Sequence, residues 1–271
     1  MTEHFLSRDR LAAQLSDLGV ERGGVLLVHA SMRSLGPVDG GARAMADALR
    51  DALGPEGTLV VPAFTPENSD TSPAYRDRVR GLSEEAAAAV RAGMPPFDPA
   101  TTPAPSMGLL AETVRLTPGA GRSAHPQTSF AALGPGASAL TAHHRPDCHL
   151  GEDSPLGALY AADARILLLG TGYATCSAFH LGEYRIPDPP RRRYRCVVTA
   201  AGGRRWWEYE DIDLDDSDFA TLGHDFEHTN GPGDVAVLHG RLGTADSRLL
   251  YLAPAVDFAV GWLKNHRVVR P

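Results

Sequence analysis

One histidine, one cysteine and one glutamate share a short segment that follows an apolar run. The run is Ile166–Leu169, two glycines come soon after it, and the next segment carries Cys176, His180 and Glu183. Spacings of four and three residues would place these side chains on one face of a helix. A neutral imidazole, whose unperturbed pKa is about 6.5, can accept a proton near neutral pH. His180 is therefore the candidate general base.

A catalytic base usually needs an acid to orient it, and two sources are available. Glu183 lies one turn away on the same helix, although side chains on adjacent turns do not always converge. The segment 208–218 contains seven acidic residues. Within it, Asp211 and Asp213 would face the same side of a strand, with Ile212 on the other side. The remaining acids are expected to be solvated, and the residues alone leave both sources open.

A nucleophilic thiolate is the alternative chemistry for the same segment. Cys176 stands four residues before His180, and an activated thiolate needs such a histidine or a helix N-terminus nearby. A small buried cysteine is the more ordinary interpretation. The chain has two other cysteines, Cys148 and Cys196, and no CxxC pair. This sparse set is typical of a reducing cytosol.

Composition and charge limit the classes of partner. The 271 residues are 43% hydrophobic and carry a formal net charge of −7. A nucleic-acid binder usually shows a basic face, so no nucleic-acid partner is expected. An acidic protein suits a cationic ligand, although mild negative charge also serves solubility. The N-terminus has no signal-like apolar segment, and no run approaches the roughly 20 residues that cross a bilayer. The sequence therefore predicts a cytoplasmic protein without membrane contact.

Alternating helical and apolar segments predict an α/β fold. Residues 7–18 have the pattern of an amphipathic helix. The runs at 25–29 and 58–62 are continuously apolar, as in strands buried on both faces, and a helical segment at 42–53 separates them. This alternation of helices and strands is typical of an α/β fold. We expect a single domain over residues 1–271, with a mixed central sheet flanked by helices.

Two further segments add to this plan. Strand-like residues 194–199 and 205–209 flank a Gly-Gly pair, a pattern that predicts an antiparallel hairpin added to the sheet. From Phe64 to about Met107 proline is frequent, and only the part from Ser83 to Ala92 looks helical. A long irregular stretch inside a regular domain is often a functional loop or lid.

Other polar groups give weaker signals. The loop at 29–41 follows a predicted strand, and its hydroxyls and backbone amides could cradle a phosphate. It has neither a Walker nor a GxGxxG pattern. The histidines within 143–149 match no zinc spacing, so we expect a polar loop and no metal site. His125 precedes a proline, which favours an extended conformation and a structural role.

Seven segments of the chain are informative when they are taken together. They are LLVHASMRSLGPVDGG at 26–41, GPEGTLVVPAF at 54–64, FDPATTPAPSMGLLAE at 97–112, RSAHPQTSFAALG at 122–134, DSPLGALY at 153–160, LLLGTGYATCSAFHLGEYR at 167–185 and YEDIDLDDSDF at 209–219. In this order they resemble the aminoglycoside 3-N-acetyltransferases of the antibiotic acetyltransferase family, which is unrelated to the GNAT fold. The resemblance covers the chain from about residue 8 to 264.

The resemblance implies an acetyl-CoA-dependent transferase and assigns roles to residues. His180 matches the catalytic base, and its orienting acid would fall around Asp211 and Asp213, with Glu183 as the weaker alternative. The family often has asparagine where this chain has Cys176, which argues against a cysteine nucleophile. The loop from Ser31 to Gly36 matches the site of the CoA pyrophosphate. The implied cosubstrate contacts are His29, Ala30, Ser31, Arg33, Ser34, Leu35, Gly36, Met107 and Ser177.

The expected reaction moves an acetyl group from acetyl-CoA to the 3-amino group of a 2-deoxystreptamine aminoglycoside. The amine attacks directly in a ternary complex while His180 takes a proton. A backbone amide of the Ser31 loop, or Ser177, would hold the oxyanion. Residues 65–96 would shape the acceptor pocket as an insertion or lid, and the protein would be a monomer or homodimer without a metal. Two alternatives are acetylation of a different amine, such as a biosynthetic intermediate, and non-catalytic binding of cationic ligands.

Overall fold

The central strands are apolar on both faces, and they build a mixed sheet that helices cover. The structure is a computed structural model that describes residues 5–229 and 237–267. Its strands are β1 (Val25–Ala30), β2 (Thr58–Pro62), β3 (Gly121–Arg122), β4 (Phe130–Leu133), β5 (Arg165–Leu169), β6 (Arg191–Ala200), β7 (Gly203–Ile212), β8 (Val237–Leu242) and β9 (Ala245–Tyr251). Seven of these strands form one sheet in the order β3-β4-β2-β1-β5-β9-β8, and β6 pairs with β7 in a second sheet.

Parallel pairing in the middle of the sheet determines where loops converge. β1 pairs in parallel with β2 and with β5, so that Leu27 lies opposite both Val60 and Ile166. β4 and β9 run antiparallel to their neighbours β2 and β5. The carboxyl ends of the three parallel strands therefore meet at one edge, where α/β proteins usually bind ligands. The mixed α/β sheet predicted from the sequence is confirmed.

Helices cover both faces of this sheet. They are α1 (Arg8–Leu18), α2 (Met32–Leu35), α3 (Gly41–Leu53), α4 (Pro73–Val79), α5 (Glu84–Ala92), α6 (Gly108–Leu116), α7 (Ala137–Ala142), α8 (Pro155–Ala161), α9 (Phe179–Arg185), α10 (Phe219–Thr229) and α11 (Leu252–His266). The apolar sides of α1, α3 and α6 join one core cluster, and those of α8 to α11 join the other. Alternate residues of the strands point into alternate clusters: Leu26 enters the first and Leu27 the second.

The first helix illustrates how local signals place an element. Ser7 accepts a hydrogen bond from the backbone N–H of Arg10, as an N-cap does, and Gly19 ends the helix with a φ of 106°. Leu11 and Leu15 are fully buried between these ends. Burial of one leucine side chain contributes roughly 1.5–3 kcal/mol, so this apolar face fixes the helix against the sheet.

The hairpin and the segment before it form a joint structure beside the main sheet. The predicted hairpin is present as β6 and β7, but its expected addition to the central sheet is wrong, because the two strands pair with each other in a separate sheet. Residues 65–96 contain the expected helix α5 and also α4, so the expectation of a single helix there is wrong. The segment lies against this hairpin, where Arg195 forms an ion pair with Asp70. Tyr75, Met94 and Val197 form a small apolar cluster between the two parts. The role of 65–96 as a lid or acceptor-side insertion stays a prediction.

No helix in the described parts of the chain is long and apolar enough to span a bilayer.

Candidate active site

A cavity of about 340 Å³ opens beyond the carboxyl ends of the parallel strands. The ends of β1 and β2 contribute to it, as do the loop after β5 and the first turn of α9. The residues that line the cavity include His29, Met107, Ser177, His180, Asp216 and Phe219. The cavity therefore joins residues from distant parts of the sequence at the edge where the topology predicts a ligand.

His180 and Glu183 form a hydrogen-bonded pair on α9. The Nδ1 atom of His180 lies 2.5 Å from Oε2 of Glu183. Both side chains are shielded, with exposed fractions of 11% for the imidazole and 3% for the carboxyl. A carboxylate only accepts hydrogen bonds, so Nδ1 carries the proton and Nε2 keeps the lone pair. His180 lines the cavity, and its imidazole can therefore act as a base toward a molecule bound there.

The second oxygen of Glu183 is also occupied. Its Oε1 accepts the backbone N–H of Asp215 at 3.1 Å and an ion-paired hydrogen bond from Nη1 of Arg267. Arg267 in turn donates Nε and Nη2 to the two oxygens of Asp218, at 2.8 and 2.6 Å. Burial lowers the pKa of Arg267, but its hydrogen bonds to Asp218 and Glu183 outweigh this and leave the pKa raised. Sequence reasoning missed Arg267 altogether.

The expected pairing of His180 with Asp211 or Asp213 is not what the structure shows. Oδ2 of Asp211 accepts the Nδ1–H of His149 at 2.9 Å, the backbone N–H of His149 at 2.7 Å and the hydroxyl of Tyr184 at 2.5 Å. Asp213 lies beyond the end of β7, where strand alternation stops, and pairs with a surface arginine. The acid that contacts His180 is Glu183, which the family resemblance made the weaker of the two candidates.

Two histidines of the segment 143–149 are core residues, so the expected polar loop is wrong for them. His144 and His149 are buried, and their rings lie near that of His125, with centroids 4.7 Å from it in both cases. Burial lowers the pKa of His144 to about 4. The Nδ1 atom of His125 accepts the backbone N–H groups of Gln127 and Thr128, which fits the structural role predicted for it. The local sequence does not predict that these histidines are buried, because the residues that cover them come from distant parts of the chain.

Cys176 lines the cavity from the turn before α9 and not from the helix itself, so the expectation that it shares a helix face with His180 and Glu183 is wrong. Its side chain is fully buried, and burial raises the pKa of the thiol to about 12. A thiol with that pKa is protonated near neutral pH and is a poor nucleophile. The expectation of a small buried cysteine is confirmed, and the geometry gives no support to a thiolate mechanism.

A second histidine lies in the same cavity as His180. His29, at the end of β1, has its Nε2 atom 3.3 Å from Oγ of Ser177. Burial, with a smaller contribution from the neighbouring His180, lowers the pKa of His29 to about 4. His29 is therefore neutral near pH 7, and its ring can orient the hydroxyl of Ser177 without adding charge to the site.

The loop after β1 is hydrogen-bonded to the end of the neighbouring strand β5 and to the residue that follows it. The backbone N–H of Ser31 donates to the carbonyl of Leu169 at 2.8 Å. The hydroxyl of Ser34 lies 2.9 Å from Oγ of Ser31 and 3.0 Å from the carbonyl of Gly170. Because the amide of Ser31 is committed to β5, it cannot hold an oxyanion.

The other predicted cosubstrate contacts differ in what they can present. Ala30 and Met107 line the cavity. Arg33 follows Ala30 by three positions in the sequence, and its side chain is exposed to solvent. Leu35 is fully buried in the core, so only its backbone could reach a ligand. Gly36 has a φ of 82°, a backbone conformation that favours glycine. Among the described residues there is no cluster of three or more His, Cys, Asp or Glu side chains that could hold a metal ion.

Comparisons with known proteins agree with this architecture. The family model of aminoglycoside 3-N-acetyltransferases matches residues 27–264. The SPbeta prophage-derived aminoglycoside N(3')-acetyltransferase-like protein YokD of Bacillus subtilis is 35% identical, over 96% of this chain and 93% of that protein. Aminoglycoside N(3)-acetyltransferase III of Serratia marcescens is 37% identical, over 95% of this chain and 97% of that protein.

Solved structures extend the likeness to the whole fold. A binary complex of AAC-IIIb with CoASH superposes with a TM-score of 0.83 at 32% identity, over 99% of both chains. A histidine-to-alanine variant of AAC(3)-IVa in complex with a gentamicin gives a TM-score of 0.79 at 30% identity, over 100% of this chain and 94% of that one. Fold and sequence together define an acyltransferase that uses acetyl-CoA. The chain belongs to the aminoglycoside 3-N-acetyltransferase family.

Proposed function

We propose that the protein transfers the acetyl group of acetyl-CoA to the 3-amino group of a 2-deoxystreptamine aminoglycoside, with His180 as general base. The observation that carries the proposal is the His180–Glu183 pair at the wall of a cavity that faces the strand ends. Relatives named as aminoglycoside N(3)-acetyltransferases, and related structures with CoASH and with a gentamicin, support the choice of substrates.

An ammonium group has no lone pair, so the acceptor amine first releases one proton to solvent. A base must then take a second proton as the neutral nitrogen bonds to carbon. In the proposed step the amine nitrogen bonds to the acetyl carbon while Nε2 of His180 takes a proton from that nitrogen. The tetrahedral intermediate then collapses, the carbon–sulfur bond breaks, and the leaving thiolate of CoA receives a proton from the imidazolium. Glu183 holds the imidazole in the Nδ1–H tautomer and stabilises its charged form. General-base help of this kind is worth about 10²- to 10⁴-fold in rate.

Ser177 is the proposed donor to the developing oxyanion. Its hydroxyl lines the cavity next to His180, and the neutral ring of His29 lies 3.3 Å from it. A preorganised hydroxyl in a shielded site stabilises an oxyanion without reorganising water. The amide of Ser31 is excluded from this role because it donates to the carbonyl of Leu169.

The loop from Ser31 to Gly36 is the proposed binding site of the CoA pyrophosphate, as the sequence predicts. Arg33 is exposed in this loop and would bring a positive charge to the phosphates. Met107 lines the cavity and would contact the pantetheine arm. His29 and Ala30 are the last two residues of β1, and both line the same cavity as Met107. This arrangement directs the thioester toward His180.

Acidic groups are the proposed attraction for the acceptor. Asp216 is exposed and lines the cavity together with His180. A cluster of carboxylates raises the local concentration of a polycation. Acetylation replaces one ammonium with a neutral amide, so the proposed product carries one positive charge fewer. This is the chemistry of antibiotic resistance by modification. A monomeric or homodimeric state and a cytoplasmic location stay predictions from the sequence.

A panel experiment tests the proposal. Acetyl-CoA is incubated with aminoglycosides that contain 2-deoxystreptamine and with simple diamines, and free thiol release is followed. Products are then examined by NMR to locate the acetyl group. We expect turnover with aminoglycosides and acetylation at N3. Turnover confined to other amines would support the alternative acceptor, and tight aminoglycoside binding with no thiol release would support a non-catalytic binder.

A further inference from the structure

Arg267 reaches the catalytic pair from the far end of the chain. It directly follows α11 and lies 84 positions after Glu183. Its Nη1 donates to Oε1 of Glu183, while the opposite oxygen of the same carboxylate accepts Nδ1–H of His180. One carboxylate therefore connects a permanent cation to the imidazole that is proposed to accept the proton.

Charge balance explains why this contact matters to the reaction. The side chain of Glu183 is only 3% exposed, and a shielded carboxylate needs a cationic or hydrogen-bonding partner. His180 supplies a charge only while it holds the substrate's proton. Arg267 supplies its charge throughout the cycle, since a guanidinium does not lose its proton in proteins. Glu183 can thus remain a fixed carboxylate in the resting and the protonated state of the base.

The same guanidinium also fixes a wall of the cavity. It donates two hydrogen bonds to the carboxylate of Asp218 and one to the backbone carbonyl of Asp215. The segment held in this way contributes Asp216 and Phe219 to the cavity. The ring of Phe219 lies 4.7 Å from that of His180, centroid to centroid. This contact through the wall is a second route to the imidazole that does not pass through Glu183, and a double-mutant cycle distinguishes it from the route through the carboxylate.

We propose that Arg267 is a positioning residue for acetyl transfer, acting through Glu183 on the orientation of His180. This inference rests on the proposed function, because it assigns His180 the role of base. The plain alternative is an ion pair that only stabilises the fold. The two differ in one respect: a positioning residue affects kcat through Glu183, whereas a stabilising pair affects only the resistance to unfolding.

Kinetics of matched variants separate the two possibilities. Arg267→Met removes the cation and Arg267→Lys keeps it. The control is Arg165→Met, which breaks the ion pair with Glu21 at the start of β5, at the opposite end of that strand from the site. We expect Arg267→Met to lower kcat about 10- to 100-fold, in line with the cost of small misplacements of reacting groups. KM for acetyl-CoA should stay within about twofold, and Arg267→Lys should recover part of the loss.

A double-mutant cycle with Glu183→Gln then tests the route of the effect. If Arg267 acts through the carboxylate, adding Arg267→Met to Glu183→Gln should change kcat by less than about threefold. Independent, multiplicative losses would overturn the inference. So would an Arg267→Met enzyme that keeps kcat within about twofold while its melting temperature falls as much as that of Arg165→Met.

A readout without turnover keeps this inference separable from the proposed function. In ¹⁵N-histidine NMR, the short hydrogen bond between Nδ1 of His180 and Glu183 should give a downfield proton signal that His180→Ala removes. We expect the signal in wild type and Arg165→Met, and a shifted or broadened signal in Arg267→Met. An unchanged signal in Arg267→Met would overturn the positioning role. A changed signal in a protein that releases no thiol with any aminoglycoside would overturn the proposed function, while the control of the His180 orientation by Arg267 would stand.

Discussion

Replacing Glu183 with glutamine removes one charge from the proposed catalytic pair and preserves its size. The amide oxygen of glutamine can accept the Nδ1–H of His180. Its NH2 group, however, then faces the N–H of Asp215 and Nη1 of Arg267, which both donate to Oε1 of Glu183. The variant therefore removes the negative charge together with one acceptor, and the loss of charge is the larger of the two effects on a developing imidazolium. Arg267 also loses its anionic partner there.

The expected loss follows from the geometry of the pair. The atoms in contact are 2.5 Å apart. With charge centres about 4 Å apart and an effective dielectric constant of about 20, two unit charges attract by about 4 kcal/mol. The imidazolium forms only as the amine loses its proton, so the attraction lowers the transition state and not the ground state. A loss of about 4 kcal/mol corresponds to roughly a 10³-fold decrease in kcat.

The assay is thiol release at saturating acetyl-CoA and aminoglycoside. The control variant is Glu152→Gln, which removes an exposed carboxylate that pairs with Arg185 at the end of the same helix. We expect the control to keep kcat within about twofold of wild type. If Glu183→Gln also stays within about fivefold of wild type, the carboxylate does not stabilise a developing imidazolium, and the reasoning fails.

Three other predictions concern groups around the site. Cys176→Ala should keep kcat within about threefold, with no acetyl-enzyme detectable by mass spectrometry, because burial keeps this thiol protonated. Asp216→Asn should raise KM for the aminoglycoside several-fold at low salt and less at high salt, since exposed charges are screened; an unchanged KM would exclude it from acceptor binding. His144 has a folded pKa of about 4, below its unfolded value of about 6.5, so the unfolded state binds the proton first as pH falls. Its contribution to stability is therefore complete above about pH 6.5 and is lost toward about pH 4, with about 2 kcal/mol gone at pH 5. Urea denaturation should show that the free energy of unfolding decreases less between pH 7 and pH 5 in His144→Gln than in wild type. Equal decreases in the two proteins would contradict the lowered pKa of His144.

The sequence predicts the fold well where the physical cause is local. β1, β2 and β5 are continuous apolar runs, and such runs occur in strands buried on both faces. The end of α1 coincides with a glycine that can adopt a positive φ. Residues 65–96 were harder to interpret, because α4 is short and its packing partner is a hairpin far along the chain.

The candidate site was predicted in part. Cys176, His180 and Glu183 were identified by helical spacing, and the structure confirms that two of them meet as a hydrogen-bonded pair. The resemblance directed attention away from Glu183 to the acidic segment, where the carboxylate of Asp211 proves to hold His149. Arg267 gives no local signal, because its importance depends on the path of α11 through the fold.

The measurement that tests the central claim most directly is the turnover of His180→Ala with acetyl-CoA binding followed in parallel. If His180 is the general base, thiol release should fall by about 10²- to 10⁴-fold. Calorimetry should still find acetyl-CoA bound with affinity within a few-fold of wild type, because the proposed cosubstrate contacts remain. A His180→Ala protein that acetylates an aminoglycoside at the wild-type rate would contradict the account.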